Sequence, residues 1–166
     1  MSNSGQNKFD IDYARQVIDS EADAVKAMAG IVDGSFVKAL EMLFDCTGSV
    51  IVSGIGKAGI IAQKISATLA STGTPSHFLH PAEAVHGDLG RLRDNDVVLV
   101  LSYGGETDEI VRLITLVKQL QVKLIAITSD PQSTLSKYSD IVLLMGKVTE
   151  AVEADRRALE IAEEGL

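Results

Sequence analysis

Apolar residues recur at spacings of three and four near the start of the chain, at Ile11, Ala14, Ile18, Ala22, Val25, Ala29 and Val32. That period predicts one face of a long amphipathic helix, with Asp10 placed to cap it and Asp33-Gly34 placed to end it. Ser35 then reads as the cap of a second helix that turns Val37, Leu40, Leu43 and Phe44 inward. From residue 50 the period changes. Val50-Ile51-Val52-Ser53 is a short apolar run of strand type, followed by Gly54-Ile55-Gly56-Lys57-Ala58-Gly59 and a helical stretch over 60–69. Ser76-His77-Phe78-Leu79 predicts a weaker strand, and residues 80–88 an irregular loop. Val97-Val98-Leu99-Val100-Leu101 is apolar on both faces, which marks a central strand. A second glycine loop, Ser102-Tyr103-Gly104-Gly105-Glu106-Thr107, leads into a helix burying Ile110, Leu113, Ile114, Val117 and Leu120. Leu124-Ile125-Ala126-Ile127 predicts a strand, Thr128-Ser129-Asp130-Pro131 a loop, residues 134–138 a short helix, and Ile141-Val142-Leu143-Leu144 a last strand.

Strands that alternate with helices imply right-handed crossovers and a parallel sheet covered on both faces. The expected fold is α/β, a flavodoxin-like or Rossmann-like three-layer sandwich around a mainly parallel five-stranded sheet. Residues 1–8 read as a flexible N-terminal tail and 9–166 as a single domain. In such sheets ligands bind beyond the carboxyl ends of the strands, near a topological switch point. Both glycine loops fall there.

Composition narrows the partners. With 46% apolar but 4% aromatic residues, the core is aliphatic. The net charge of −8 argues against a nucleic-acid or anionic-membrane surface, since both need a basic footprint. It leaves room for a small anion, which backbone N–H groups bind locally. Cys46 is the only cysteine, so no internal disulfide forms and a cytoplasmic location is expected. No apolar run approaches the roughly 20 residues that span a bilayer.

Gly54-x-Gly56-x-x-Gly59 sits between strand and helix, as a dinucleotide fingerprint does. A nicotinamide cofactor wants an acidic residue at the tip of the second strand, where this chain has Leu79-His80-Pro81. A plain packing turn and a phosphosugar site are the other readings. Lys57 inside the loop favours the last, and so does the second loop, with hydroxyls at Ser102 and Thr107 and close backbone approach at Gly104 and Gly105. His80, Glu83, His86 and Asp88 have metal-like composition, but their spacing matches no firm zinc pattern, and His86 reads equally as a contact for sugar hydroxyls. Glu106 and Glu150 are candidate carboxylates at the ligand edge. Aldose–ketose isomerisation needs a base to move a proton between adjacent carbons and a cation to steady the enediolate.

The stretch around Gly54-Ile55-Gly56-Lys57-Ala58-Gly59, the run Ala67-Thr68-Leu69-Ala70-Ser71-Thr72-Gly73-Thr74-Pro75, the loop His80-Pro81-Ala82-Glu83-Ala84-Val85-His86-Gly87-Asp88-Leu89-Gly90 and the segment Lys147-Val148-Thr149-Glu150-Ala151 together resemble the sugar-isomerase (SIS) domain of D-arabinose-5-phosphate isomerases. The resemblance implies interconversion of D-arabinose 5-phosphate and D-ribulose 5-phosphate through an enediol, with no metal or organic cofactor, in a homo-oligomer (tetramer or dimer). It implies Lys57, Glu106 and Glu150 as catalytic residues, and Gly56, Thr72, His86, Ser102, Gly104, Gly105 and Thr107 as substrate contacts. The chain departs from the family pattern at Ala58 and Gly104, where serine is usual, and at Tyr103. After Glu150 the family continues into a cysteine-proline-glycine loop and a histidine-bearing helix. Here a charged stretch, Val152-Glu153-Ala154-Asp155-Arg156-Arg157, follows, and the histidines are His77, His80 and His86. A catalytically weak domain that binds or senses a phosphosugar is therefore the alternative reading.

Overall fold

The computed structural model describes residues 11–146. Its elements run α1 (Ile11–Met28), α2 (Gly34–Phe44), β1 (Val50–Gly54), α3 (Gly56–Ser71), β2 (Ser76–Phe78), α4 (Pro81–Val85), a 3-10 turn (Asp88–Arg91), β3 (Val97–Leu101), α5 (Asp108–Gln119), β4 (Lys123–Thr128), α6 (Thr134–Tyr138) and β5 (Ile141–Leu144). The chain divides into two units. Residues 32–145 hold the whole sheet, and α1 belongs to the other.

All five strands are parallel, in the order β2-β1-β3-β4-β5. This is the flavodoxin-type order, and the expected α/β class holds. Alternate residues of each strand face opposite layers. Ile51, Val98, Val100, Leu124 and Ala126 meet Leu79, Ala84, Ile110, Leu113, Ile114, Val117 and Leu135 on one side. Val50, Val52, Val97, Leu99, Leu101 and Ile125 meet Ala39, Met42, Leu43, Ala62 and Ile65 on the other. β1 and β3 are buried along their whole length, as strands with helices on both faces must be.

Several local expectations are corrected. α1 ends at Met28, short of Val32. The cap of α2 is Asp33, whose carboxylate accepts the Ser35 N–H at 2.8 Å, so Ser35 lies inside the helix. The inward face of α2 carries Ala39, Met42 and Leu43. Val37, Leu40 and Phe44 point outward with Phe36, because the helix is apolar on more than one face and the sheet covers only one. Leu120 closes α5 as its C-cap and is exposed. Residues 80–88 are ordered rather than irregular. Pro81 at the first position of α4 supplies a pre-set φ, and His80 caps it by accepting the Ala82 N–H on Nδ1 at 3.3 Å.

His77, half-buried in β2, has its imidazole held below the ordinary value of 6.5, first by burial, then by repulsion from Arg91, with Asp96 partly opposing. The unfolded chain therefore binds a proton at a pH where the native chain does not, and stability is lost as pH falls from 6.5 through the native value. Melting temperatures recorded across that range should fall on acidification, and His77→Gln should flatten the fall.

Candidate functional site

The strand order fixes where a ligand would sit. From β1 the chain crosses to β2 on one side, while β3 stands on the other, so the crossovers leave in opposite directions and open a crevice at the carboxyl ends of β1 and β3. Gly54 pairs with Leu101, so the loops after the two strands begin level with each other.

The first loop is a single tight turn. Ile55, extended at φ −120° and ψ 148°, precedes Gly56 at φ 59°, and α3 starts at once. A Cβ on Gly59 would stand 2.7 Å from the Gly54 carbonyl oxygen, so only glycine lets the helix begin this close to the strand. Lys57 is the second residue of α3 and is exposed at the crevice edge. No side chain caps α3, which leaves its first-turn amides directed at the carboxyl edge.

The second loop is stitched to its neighbours. Ser102 is buried; its N–H donates to the Ile127 carbonyl at 3.1 Å, and its hydroxyl accepts the Gly105 N–H at 3.2 Å. The Tyr103 carbonyl accepts three donors, the Ser129 N–H and hydroxyl (both 2.9 Å) and the Thr128 hydroxyl (2.8 Å). The Gly105 carbonyl accepts the Leu135 N–H at 3.2 Å. Gly105 has φ 67°, and a Cβ there would lie 2.6 Å from Ser133 Cβ and 3.1 Å from Leu135 Cβ. At Gly104 a Cβ would meet nothing within 4 Å, so the space that a serine would occupy is open. Thr107 caps α5 through its backbone conformation, and its hydroxyl makes no bond to that helix. Two helix N-termini, uncapped by side chains, thus converge on one crevice beside Lys57. The start of α5 also carries the carboxylates of Asp108 and Glu109, whereas the first turn of α3 has no acidic residue.

Glu106 is placed differently from the simplest expectation of a carboxylate open to ligand. Its Oε1 accepts the Thr134 N–H at 2.6 Å, and its Oε2 accepts the Thr134 hydroxyl at 2.9 Å. Sequence reasoning gave Thr134 no role. The available signal was the hydroxyl-rich run after β4, at Thr128, Ser129, Ser133 and Thr134.

Of the expected site residues, Gly56, Lys57, Ser102, Gly104, Gly105, Glu106 and Thr107 come to the carboxyl edge of β1 and β3. Thr72 does not. It caps the far end of α3, its hydroxyl donating to the Thr68 and Leu69 carbonyls, and the 16 residues of α3 hold it about 24 Å along the helix from Gly56. The motif placed it near the crevice only in sequence. His86 is exposed at the C-terminus of α4, and among the described residues no bond joins it to either glycine loop. The loop it belongs to is anchored beside β1 by the Ser53 hydroxyl, which donates to the Leu79 carbonyl at 2.6 Å. Glu150 lies outside the described residues. Among the described residues, no three His, Cys, Asp or Glu side chains gather to hold a metal ion, and no helix is long and apolar enough to cross a membrane.

Known proteins are similar to this chain in sequence and fold. Residues 42–156 match the model of the SIS domain family. The chain is 48% identical over 141 residues to the arabinose 5-phosphate isomerase KdsD of Pseudomonas aeruginosa, covering 85% of this chain and 43% of that protein. It is 46% identical over 134 residues to the arabinose 5-phosphate isomerase KpsF of Escherichia coli O6:H1, covering 80% and 41%. It spans about two fifths of the length of these curated relatives. Among solved structures, Escherichia coli CFT073 c3406, solved as a ligand complex, superposes with a TM-score of 0.76 at 34% identity, covering 95% of this chain and 93% of that one.

Proposed function

Since this chain belongs to the SIS domain family, we propose that it is a phosphosugar aldose–ketose isomerase that interconverts D-arabinose 5-phosphate and D-ribulose 5-phosphate. The observation that carries the reading is the pair of level loops at the switch point, each opening a helix whose N-terminus no side chain caps, with Lys57 at their edge. The amides of the 102–107 loop other than those of Ser102 and Gly105, which already donate within the protein, and those of the first turn of α3 suit a phosphate dianion, with the Thr107 hydroxyl beside them. The open-chain sugar then extends along the crevice. A base takes the proton from C2, negative charge gathers on O1 of the enediolate, the O2 proton passes to O1, and return of a proton to C1 gives the ketose with its carbonyl at C2. Glu106 or Glu150 is the base, and the Lys57 ammonium steadies the charge. Support comes from two relatives named arabinose 5-phosphate isomerase, and from the c3406 complex, whose abbreviated ligand name we read as arabinose 5-phosphate. The test is a metal-free assay of the purified chain with D-arabinose 5-phosphate, reading ketose. Turnover supports the reading, and its absence at high enzyme concentration removes it.

A second reading, a phosphosugar-binding domain with weak or no catalysis, is favoured by one specific feature. Both oxygens of Glu106 are already engaged by Thr134, and Gly104 brings no hydroxyl to the anion loop. Under this reading D-arabinose 5-phosphate raises the melting temperature without being converted.

We further propose a cytoplasmic homo-oligomer, dimer or tetramer. α2 presents Phe36, Val37, Leu40 and Phe44 to solvent, the last 91% exposed, a stripe that water disfavours and a second copy would cover. Glu41 and Asp45 border that stripe. Sedimentation at micromolar protein should show an oligomer, and Phe44→Asp should shift it toward monomer. A monomer in the unaltered chain would refute the assembly.

A further inference from the structure

Among the links between the 102–107 loop and the segment after β4, one residue pair stands apart from the backbone carbonyl bonds. Glu106 receives both of its described hydrogen bonds from a single residue, Thr134, 28 positions on, and Thr134 opens α6 beneath the loop that Gly105 packs against. A carboxylate has about four lone-pair sites. Two are taken here, one by a backbone N–H of fixed direction and one by a hydroxyl on the same residue, so two remain for a ligand, and their direction follows from the hold of Thr134 on both oxygens. We infer that Thr134 is a positioning residue: by gripping both oxygens of Glu106 it sets the rotation of that carboxylate toward the sugar portion of a bound phosphosugar. The phosphate portion has its own partners in the loop amides. The inference rests on the phosphosugar reading of the crevice, and on no particular base.

Three features separate this role from plain packing. Ser133, the cap of α6, holds its own helix by accepting the Ser136 N–H, so α6 does not need the Thr134 hydroxyl to form. The loop shape is secured independently by the Tyr103 and Gly105 carbonyls. And Thr134 is the first residue of α6, a position where proline is well accommodated, with Ser133 before it already at φ −61° and ψ 159°, as a residue preceding proline requires. Thr134→Pro therefore deletes both donors to Glu106 while leaving the helix start intact, and Thr134→Val deletes only the hydroxyl.

The test is calorimetric titration of each variant with two probes, D-arabinose 5-phosphate and inorganic phosphate, alongside turnover. Thr134→Val is expected to weaken the sugar phosphate about threefold to tenfold, and Thr134→Pro more, with phosphate affinity kept within about twofold. Thr134→Ser, which keeps both donors, should rescue the loss. Where the chain turns over, kcat should fall in the same order as sugar-phosphate affinity. Equal loss of both probes would show that Thr134 merely shapes the loop and would overturn the proposal, as would unchanged sugar-phosphate affinity in Thr134→Pro. A chain that binds sugar phosphate but never converts it would sink the isomerase reading alone, leaving the two-probe comparison to decide this one. Binding of neither probe to the unaltered chain would overturn both.

Discussion

Lys57→Ala is expected to lower kcat for D-arabinose 5-phosphate about 10²- to 10³-fold, the usual loss when one preorganised group facing developing charge is removed. Lys57 is exposed and lies in the first turn of α3, where alanine is a good helix former, so stability should change by no more than about 1 kcal/mol even where an exposed polar contact is lost. That separation is what makes the variant informative. A lysine that only solvated the helix start would leave kcat intact. One that only bound phosphate would raise KM and spare kcat. The proposed role, stabilising an enediolate that exists only along the reaction, predicts a kcat effect, and a kcat kept within about threefold would remove Lys57 from that role.

Gly105→Ala should be the most damaging small substitution at the site. Its φ of 67° penalises any Cβ by about 1–2 kcal/mol. The new methyl would also press on the Ser133 side chain and on Leu135, which is fully buried, adding roughly 1–3 kcal/mol of overpacking. Neither neighbour can retreat easily. Ser133 is fixed by its bonds to Asp130 and Ser136, and Leu135 belongs to the core. A loss of about 2–5 kcal/mol in denaturant unfolding, together with loss of phosphosugar binding, is the expected result. A melting curve like that of the unaltered chain would mean that the loop sits free of α6. Gly104→Ala, one residue earlier and facing open space, is the control for stability and should leave the unfolding curve close to unchanged.

The sheet was legible because its strands are runs of Val, Ile and Leu between glycine and polar turns. The five strands appear within a residue or two of where the apolar runs put them. α2 was misread in orientation, since Phe36, Val37, Leu40 and Phe44 form as convincing a stripe as the one the sheet buries. α4 was missed because proline usually ends helices, whereas at the first position Pro81 begins one. The two glycine loops could be placed from strand-loop-helix order alone. Thr72 could not be placed that way, because nearness in sequence hides the length of α3 between it and the crevice. Nor could Thr134 be found, since its contact with Glu106 exists only because β3 and β4 lie side by side in parallel.

That adjacency also bears on the order in which the chain is made. The loop at residues 102–107 is complete in sequence well before Ser129, Ser133, Thr134 and Leu135 are synthesised, yet those later residues supply most of the groups that hold its shape. On the ribosome, where residues are added at about 5–20 per second, the 102–107 loop would emerge as an unformed glycine-rich segment. It would acquire its geometry only when β4 and α6 dock, so the shape of this loop is among the last features the sheet gains during synthesis.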